Sequence, residues 1–275
     1  MSIELYNFSQ STCSIKVRLL LAEKELPWVD RCLISSENHH LSEWYLKLNP
    51  NGVVPTLVDD EKAIFESTAI LEYLEDKYTQ YTFRPKDPFL CSQLRAWLIF
   101  VDVWPAPAVR VPSFQYGGLR EKFKIMSHDA FENLKSKRPL KIEFYNSFDK
   151  DTGFPKSEIY NSFKVLERSF KRMELLLMRF GGPWLFGKDY TIGDMAVLPT
   201  VDRLEDLGFD ALWRTEYPLI VDWLKNAQNR ESSKVSFYHG SRLSHQFPKL
   251  VKGKGTNDHI VMAVSYTHLT LPTKA

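Results

Sequence analysis

The sequence predicts an α/β unit followed by an all-helical one, and three observations carry that reading. Val53-Val54-Pro55-Thr56-Leu57-Val58 reads as a short strand opened by a proline, followed by a helical stripe at Ile70, Leu71, Leu74 and Tyr78. Two prolines in Tyr81-Thr82-Phe83-Arg84-Pro85-Lys86-Asp87-Pro88 then interrupt the helical pattern and mark a linker. Beyond them only helical periodicity recurs. At 275 residues the chain exceeds the usual single-domain size, so two domains are the natural organisation.

In the first unit, the proline at the strand start cannot donate to a central ladder, so Pro55 belongs at the strand's first position. A cis Val54-Pro55 bond is compatible with such a start. It would turn the amide and carbonyl of Val54 outward to pair with an extended ligand, although an ordinary loop proline reads the same way locally. Eleven residues on, Ser67 precedes the helical stripe, where a hydroxyl and the free amides of a first turn can hold a carboxylate. Glu66 beside it can take an ammonium. A γ-glutamyl group bears both charges on one carbon, so the Glu66-Ser67 pair fits it. A plain helix cap is the competing reading.

The second unit opens with a stripe at Leu90, Leu94, Trp97, Leu98 and Val101, which Trp104-Pro105-Ala106-Pro107 must kink or end. A second stripe at Ile159, Phe163, Leu166, Phe170, Met173 and Leu177 runs to Gly181-Gly182-Pro183 and is core. Thr191-Ile192-Gly193-Asp194 is a capping-box variant, which makes Asp194 a folding residue rather than a general base.

A net charge of +2 from nearly balanced acids and bases argues against a polyanion-binding surface, so nucleic acid is not an expected partner. Cys13, Cys32 and Cys91 have no metal-ligand spacing, and no leader pattern opens the chain, so a reducing cytoplasm is the expected setting. No apolar run approaches ~20 residues, so no membrane span is expected.

With these residues in hand, the first ~80 positions resemble the thioredoxin-like domain of cytosolic glutathione transferases. They read as strand (3–6), helix (13–25), strand (28–33), helix (41–48), strands (56–59 and 63–65) and helix (67–78). The resemblance implies an α/β thioredoxin-like domain at 1–80, a linker at 81–88 and an all-α substrate domain at 89–248. It also implies glutathione as co-substrate with no metal, a small aromatic electrophile as its partner in reaction, and a homodimer. Residues 249–275 read as a tail, disordered or foreign, because Val264 to Ala275 looks like adaptor read-through.

Gly117 to Pro155 is a lysine-bearing segment that ordinary family members lack. Read blandly, it is a solvated insertion with one short helix capped near Ser127. A similar insertion ending in Gly153-Phe154-Pro155 occurs in the glutathione-dependent β-aryl etherases of lignin-degrading bacteria, and the stretches around Tyr45 and Glu66 to Asp76 are also similar to theirs. This implies a glutathione thiolate that displaces a phenolate from a β-aryl ether ketone. Zeta-like isomerisation, dehalogenation, or ligand binding without catalysis on the same fold are the alternatives.

A thiol has a pKa near ~8.5, so the protein must stabilise the thiolate, and a helix start does so. Ser9-Gln10-Ser11-Thr12-Cys13-Ser14 sets several hydroxyls at such a start. The zeta-class resemblance maps the working serine onto Ser11, and the β-etherase resemblance maps it onto Ser14, with Cys13 where those enzymes carry asparagine. Cys13 as the nucleophile of a mixed disulfide is the third alternative, although the redox-type transferases carry proline where Ser14 stands here. By resemblance His40 takes the glycine end of glutathione, a partly charged imidazole suiting a carboxylate. Trp104, Phe114 and Tyr116 are the expected walls of the substrate pocket, with plain core packing as the alternative.

Overall fold

The computed structural model describes residues 3–266. Four strands, β1 (Ile3–Asn7), β2 (Trp28–Cys32), β3 (Thr56–Asp59) and β4 (Lys62–Phe65), form a sheet in the order β2-β1-β3-β4. β1 runs parallel to β2 and antiparallel to β3, with Leu5 opposite both Asp30 and Leu57. Asp60 and Glu61, both at positive φ, make the two-residue turn that joins β3 to β4.

Helix α1 (Thr12–Glu23) crosses from β1 to β2. All its residues from Ser14 to Leu21 are buried, including Lys16 and Arg18, because the second unit covers the face that the sheet leaves open. Lys16 pairs with Asp102 at 2.9 Å. Arg18 donates to Asn7 Oδ1 (2.8 Å) and the Ser9 carbonyl (2.7 Å) within its own unit, and to Tyr238 Oη (2.7 Å) and Ser241 Oγ (3.2 Å) across the interface.

The helix expected at 41–48 divides into a 3-10 turn (His39–Leu41) and α2 (Glu43–Leu48). Ser42 between them is extended, and its hydroxyl donates back to the His39 carbonyl at 2.6 Å. Helix α3 (Ser67–Lys77) closes the first unit. The linker is pinned to it. Buried Lys24 pairs with Glu75 at 2.8 Å and donates to the Tyr78 and Tyr81 carbonyls, while Glu75 accepts from the Phe83 amide and Thr82 Oγ1.

Helix α4 (Pro88–Val103) begins with Asp87 accepting the Leu90 amide at 2.8 Å, and it stops before Pro105, where α5 (Pro105–Ala108) and α6 (Arg110–Tyr116) restart the chain. α10 (Lys156–Phe180) ends at Gly181 in the left-handed region (φ 76°). α11 (Ile192–Asp206) starts at the anticipated cap. Thr191 Oγ1 accepts from the Gly193 amide at 3.2 Å, and Asp194 accepts from the amides of Thr191 (3.0 Å) and Leu185 (2.9 Å) and from Trp223 Nε1 (2.9 Å). Burial pushes the Asp194 carboxyl up, and these donors oppose the push. Five short or medium helices follow, α12 (Ala211–Arg214), α13 (Pro218–Asn229), α14 (Glu231–Ser236), α15 (Leu243–Gln246) and α16 (Asp258–Tyr266).

Two expectations need correction here. The segment at 117–155 is not a solvated loop with one helix. It folds into α7 (Glu121–Lys124), α8 (His128–Ser136, capped by Ser127 Oγ as anticipated), a 3-10 turn (Pro139–Lys141) and α9 (Ile142–Asn146). These close on an aromatic core of Phe123, Phe131, Tyr145, Phe148 and Phe154. Nor are the described residues after Pro248 a disordered tail, since Val251 and Val261 are buried. The Gly255 amide bonds Asp210 Oδ1, and Asn257 donates to the Leu207 carbonyl. Residues 264–266 end α16, and the remainder of the adaptor-like stretch lies outside the described residues. Among the described residues no helix is long and apolar enough to cross a membrane.

Candidate functional site

A cavity of about 330 Å³ lies where the ends of α1, β3 and α3 face α6 and the inserted segment. Ser11 is the N-cap of α1, extended in backbone, and its oxygen accepts from the Ser14 amide at 3.2 Å. Its own hydroxyl proton is therefore left to donate into the cavity, beside Thr12 and Cys13, which also line it. The first-turn amides of α1 add partial positive charge at the same place.

The second wall is the turn into β3. Tyr45 Oη and Asn49 Nδ2 both donate to the Val53 carbonyl, at 2.6 and 2.9 Å, and fix the backbone that presents Val54 and Pro55. The Val54-Pro55 bond is cis, and β3 begins one residue after the proline. Gly52 stands at φ 58°, where a Cβ would come within 2.9 Å of Leu41, so only glycine suits this bend.

The third wall is the start of α3. Glu66 precedes it at φ 68°, ψ 114°, a conformation rare for a side-chain-bearing residue and of the kind that persists at functional sites. Its carboxylate accepts from Asn51 Nδ2 at 3.2 Å. Ser67 is the first helical residue, and no side chain caps the α3 amides, so these remain available to an anion.

The fourth wall comes from the inserted segment and α6. Phe114 of α6 meets Phe144 edge-on at 5.1 Å and stacks on Phe123 at 5.9 Å, joining the inserted core to the cavity. Arg110, Lys122, Arg138 and Lys141 also line it. Burial, helped by neighbouring arginines, pulls the Lys122 and Lys141 ammonium groups down to about 8. Arg138 donates to His40 Nε2 at 2.9 Å and to Tyr145 Oη. Arg203 of α11 reaches the Gln10 carbonyl and holds the loop ahead of Ser11.

Of the anticipated residues, Ser11, Cys13, His40, Val54, Pro55, Glu66, Ser67 and Phe114 line this one cavity, although they span more than a hundred positions. Three do not. Ser14 lies fully buried in α1, because a residue three positions beyond the cap sits nearly a full turn deeper along the helix axis, away from the helix mouth. Trp104, at the break after α4, is half exposed, and Tyr116 packs edge-on against Phe209 at 5.3 Å. His40 is in place but not partly charged. Burial, then Arg138 and Lys122, lower its pKa to about 3, and its Nε2 accepts from Arg138, which requires the neutral ring.

The glutathione S-transferase N-terminal domain family matches residues 10–77 and the C-terminal domain family matches 157–226. The maleylacetoacetate isomerase of Dictyostelium discoideum is 32% identical over 221 residues, covering 79% of this chain and 84% of that one. The chain belongs to the glutathione S-transferase family. It is a transferase-type enzyme by that membership, and the four-stranded sheet followed by helices is the glutathione transferase fold. Protein LigF of Sphingobium sp. is 27% identical over 247 residues, spanning 88% of this chain and 95% of LigF. The crystal structure of the β-etherase LigF superposes with a TM-score of 0.78 at 28% identity, covering 86% of this chain and 99% of that chain. A zeta-class maleyl pyruvate isomerase shares the fold at a TM-score of 0.63 and 21% identity, covering 88% of this chain and 98% of its own.

The two domain matches leave residues 78–156 between them, and this stretch supplies Arg110, Lys122, Arg138, Lys141, Phe114 and Phe144 to the cavity lining. Sequence reasoning passed over Arg110, Lys122, Arg138 and Lys141. The lysine content of the inserted segment was the only signal, and it does not say which cations turn inward.

Proposed function

We propose that this chain binds glutathione and uses its thiolate to displace a phenolate from a β-aryl ether ketone. The observation that carries the reading is the convergence of the Ser11 cap, the Val54-Pro55 turn and the Glu66-Ser67 helix start on one cavity. In this reading the Val54 backbone pairs with the cysteinyl part of the peptide. Ser67 and the α3 amides receive the γ-glutamyl carboxylate, and Glu66 receives its ammonium. The glycine carboxylate lies toward Lys122 and Arg138, the neutral His40 serving to orient Arg138 rather than to carry charge.

Ser11 donates its free hydroxyl proton to the thiolate sulfur. That sulfur attacks the carbon beside the aryl ketone, the carbon–sulfur bond forms as the carbon–oxygen bond breaks, and the phenolate leaves with the electron pair. Holding both reactants at one geometry supplies much of the acceleration, and the fixed donor the rest. The likeness to LigF across most of both chains supports this choice of electrophile. Incubating the protein with glutathione and a β-aryl ether ketone bearing a fluorescent phenol tests it directly. Phenol release supports the reading, and its absence alongside conjugation of chloro-dinitrobenzene removes the ether and leaves a general transferase.

A second reading, glutathione-dependent cis-trans isomerisation, is favoured by the 32% identity to a maleylacetoacetate isomerase. It predicts turnover of a cis-enedione with no net consumption of glutathione. Two copies are proposed to pair through the outer face of α4, where Ile99 and Val103, one turn apart, are well exposed. Sedimentation of wild type against Ile99→Lys checks this.

A further inference from the structure

The cavity contains more positive charge than glutathione can use. Four cations from α6 and the inserted segment line it, against the single carboxylate of Glu66. On the binding reading above, Lys122 and Arg138 answer the glycine carboxylate, and the α3 start answers the γ-glutamyl end. Arg110 and Lys141 remain. Both are partly buried, and among the described residues neither side chain has an ion-pair or hydrogen-bond partner. Lys141 and Arg110 line the same cavity as Cys13 and Glu66.

A thiolate near Cys13 would neutralise only one of these two charges. A neutral aryl ring set against Phe114 and Phe144 would strip water from the other and return nothing, which is costly for a cation. A planar anion, by contrast, suits an arginine fork with a lysine beside it. Resting on the glutathione reading, we propose that the electrophile is an aromatic acid: its carboxylate docks on Arg110 and Lys141 while its ring lies against Phe114 and Phe144. The inserted segment, which supplies Lys141 and Phe144, is then the part of the chain that selects an anionic substrate.

Calorimetric titration with two preformed conjugates tests this without turnover. One is S-(dinitrophenyl)glutathione, and the other is the same molecule with a carboxylate on the ring. The wild-type protein is expected to bind the carboxylated conjugate about tenfold tighter or better, as a charge-assisted hydrogen bond allows. Arg110→Met and Lys141→Met should each bring that ratio toward one, with binding of the neutral conjugate reporting that the fold is intact. Equal affinities in the wild type, or a ratio that survives both substitutions, would overturn the proposal while leaving the glutathione reading standing. If neither conjugate binds, the glutathione reading falls and this assignment falls with it.

Discussion

Acid should weaken this protein through His40. The ring is buried with Phe8 edge-on at 5.1 Å, and Arg138 donates to its Nε2. Burial disfavours the charged ring, and a proton there would also place two cations in contact, so the folded ring holds out to about 3 whereas an exposed imidazole titrates near 6.5. Because the folded value is depressed, the unfolded chain binds the extra proton as pH falls below 6.5, and stability is lost progressively toward 3. At about pH 5 the unfolded imidazole is almost wholly charged and the folded one almost wholly neutral, which costs about 2 kcal/mol relative to neutrality. Urea unfolding of wild type and His40→Gln at about pH 7 and about pH 5 measures this. The wild type should lose about 2 kcal/mol more than the variant, because glutamine retains an acceptor for Arg138 but has nothing to titrate. Parallel losses in the two proteins would show that the ring is either charged or solvated, and the account of Arg138 and His40 would be wrong.

Ser11→Ala should lower kcat/KM for glutathione conjugation by about a hundredfold, as loss of a fixed donor does, and weaken folding by about 1 kcal/mol through the lost cap. Ser14→Ala should leave kcat/KM nearly unchanged, and a steady-state comparison in which Ser14 proves the sensitive position would reverse the assignment. Asp194→Ala orphans the Leu185 and Thr191 amides and the Trp223 indole, so thermal unfolding should register at least about 3 kcal/mol of destabilisation. Phe123→Ala removes the fully buried centre of the inserted core at about 3–5 kcal/mol. It should raise KM for the aromatic substrate more than KM for glutathione, since Phe114 loses the ring it stacks on.

The parts of the fold and of the site that depend on local chain geometry are legible in the sequence. The proline-led strand, the Glu66-Ser67 helix start and the Thr191–Asp194 box each depend on neighbours within a few residues, and each stands where those neighbours require. Ser14 departs from the site for a reason that is also local, since each helical residue rises about 1.5 Å along the axis and Ser14 lies nearly a turn deeper than the Ser11 cap. His40 could not be judged from its surroundings in sequence. Burial keeps it neutral, and the neighbour that reinforces this is Arg138, 98 residues later, inside a segment whose own folding depends on which of its phenylalanines find one another. Trp104 and Tyr116 are aromatic, a property that does not say which side of a helix they occupy.

The clamp on Arg18 bears on the order in which the chain can become itself. Its guanidinium is buried in the first unit, yet among the described residues no carboxylate forms an ion pair with it, Asp30 acting only from a distance, and half of its acceptors are Tyr238 and Ser241, more than two hundred residues downstream. A ribosome that has released only the first eighty residues has made every strand of the sheet but not the oxygens that Arg18 needs. A fragment of residues 1–80 should therefore exchange its α1 amides rapidly, whereas in the whole chain they should be among the slowest. The sheet-bearing unit is synthesised before the helical one and, by this contact, is finished only after it.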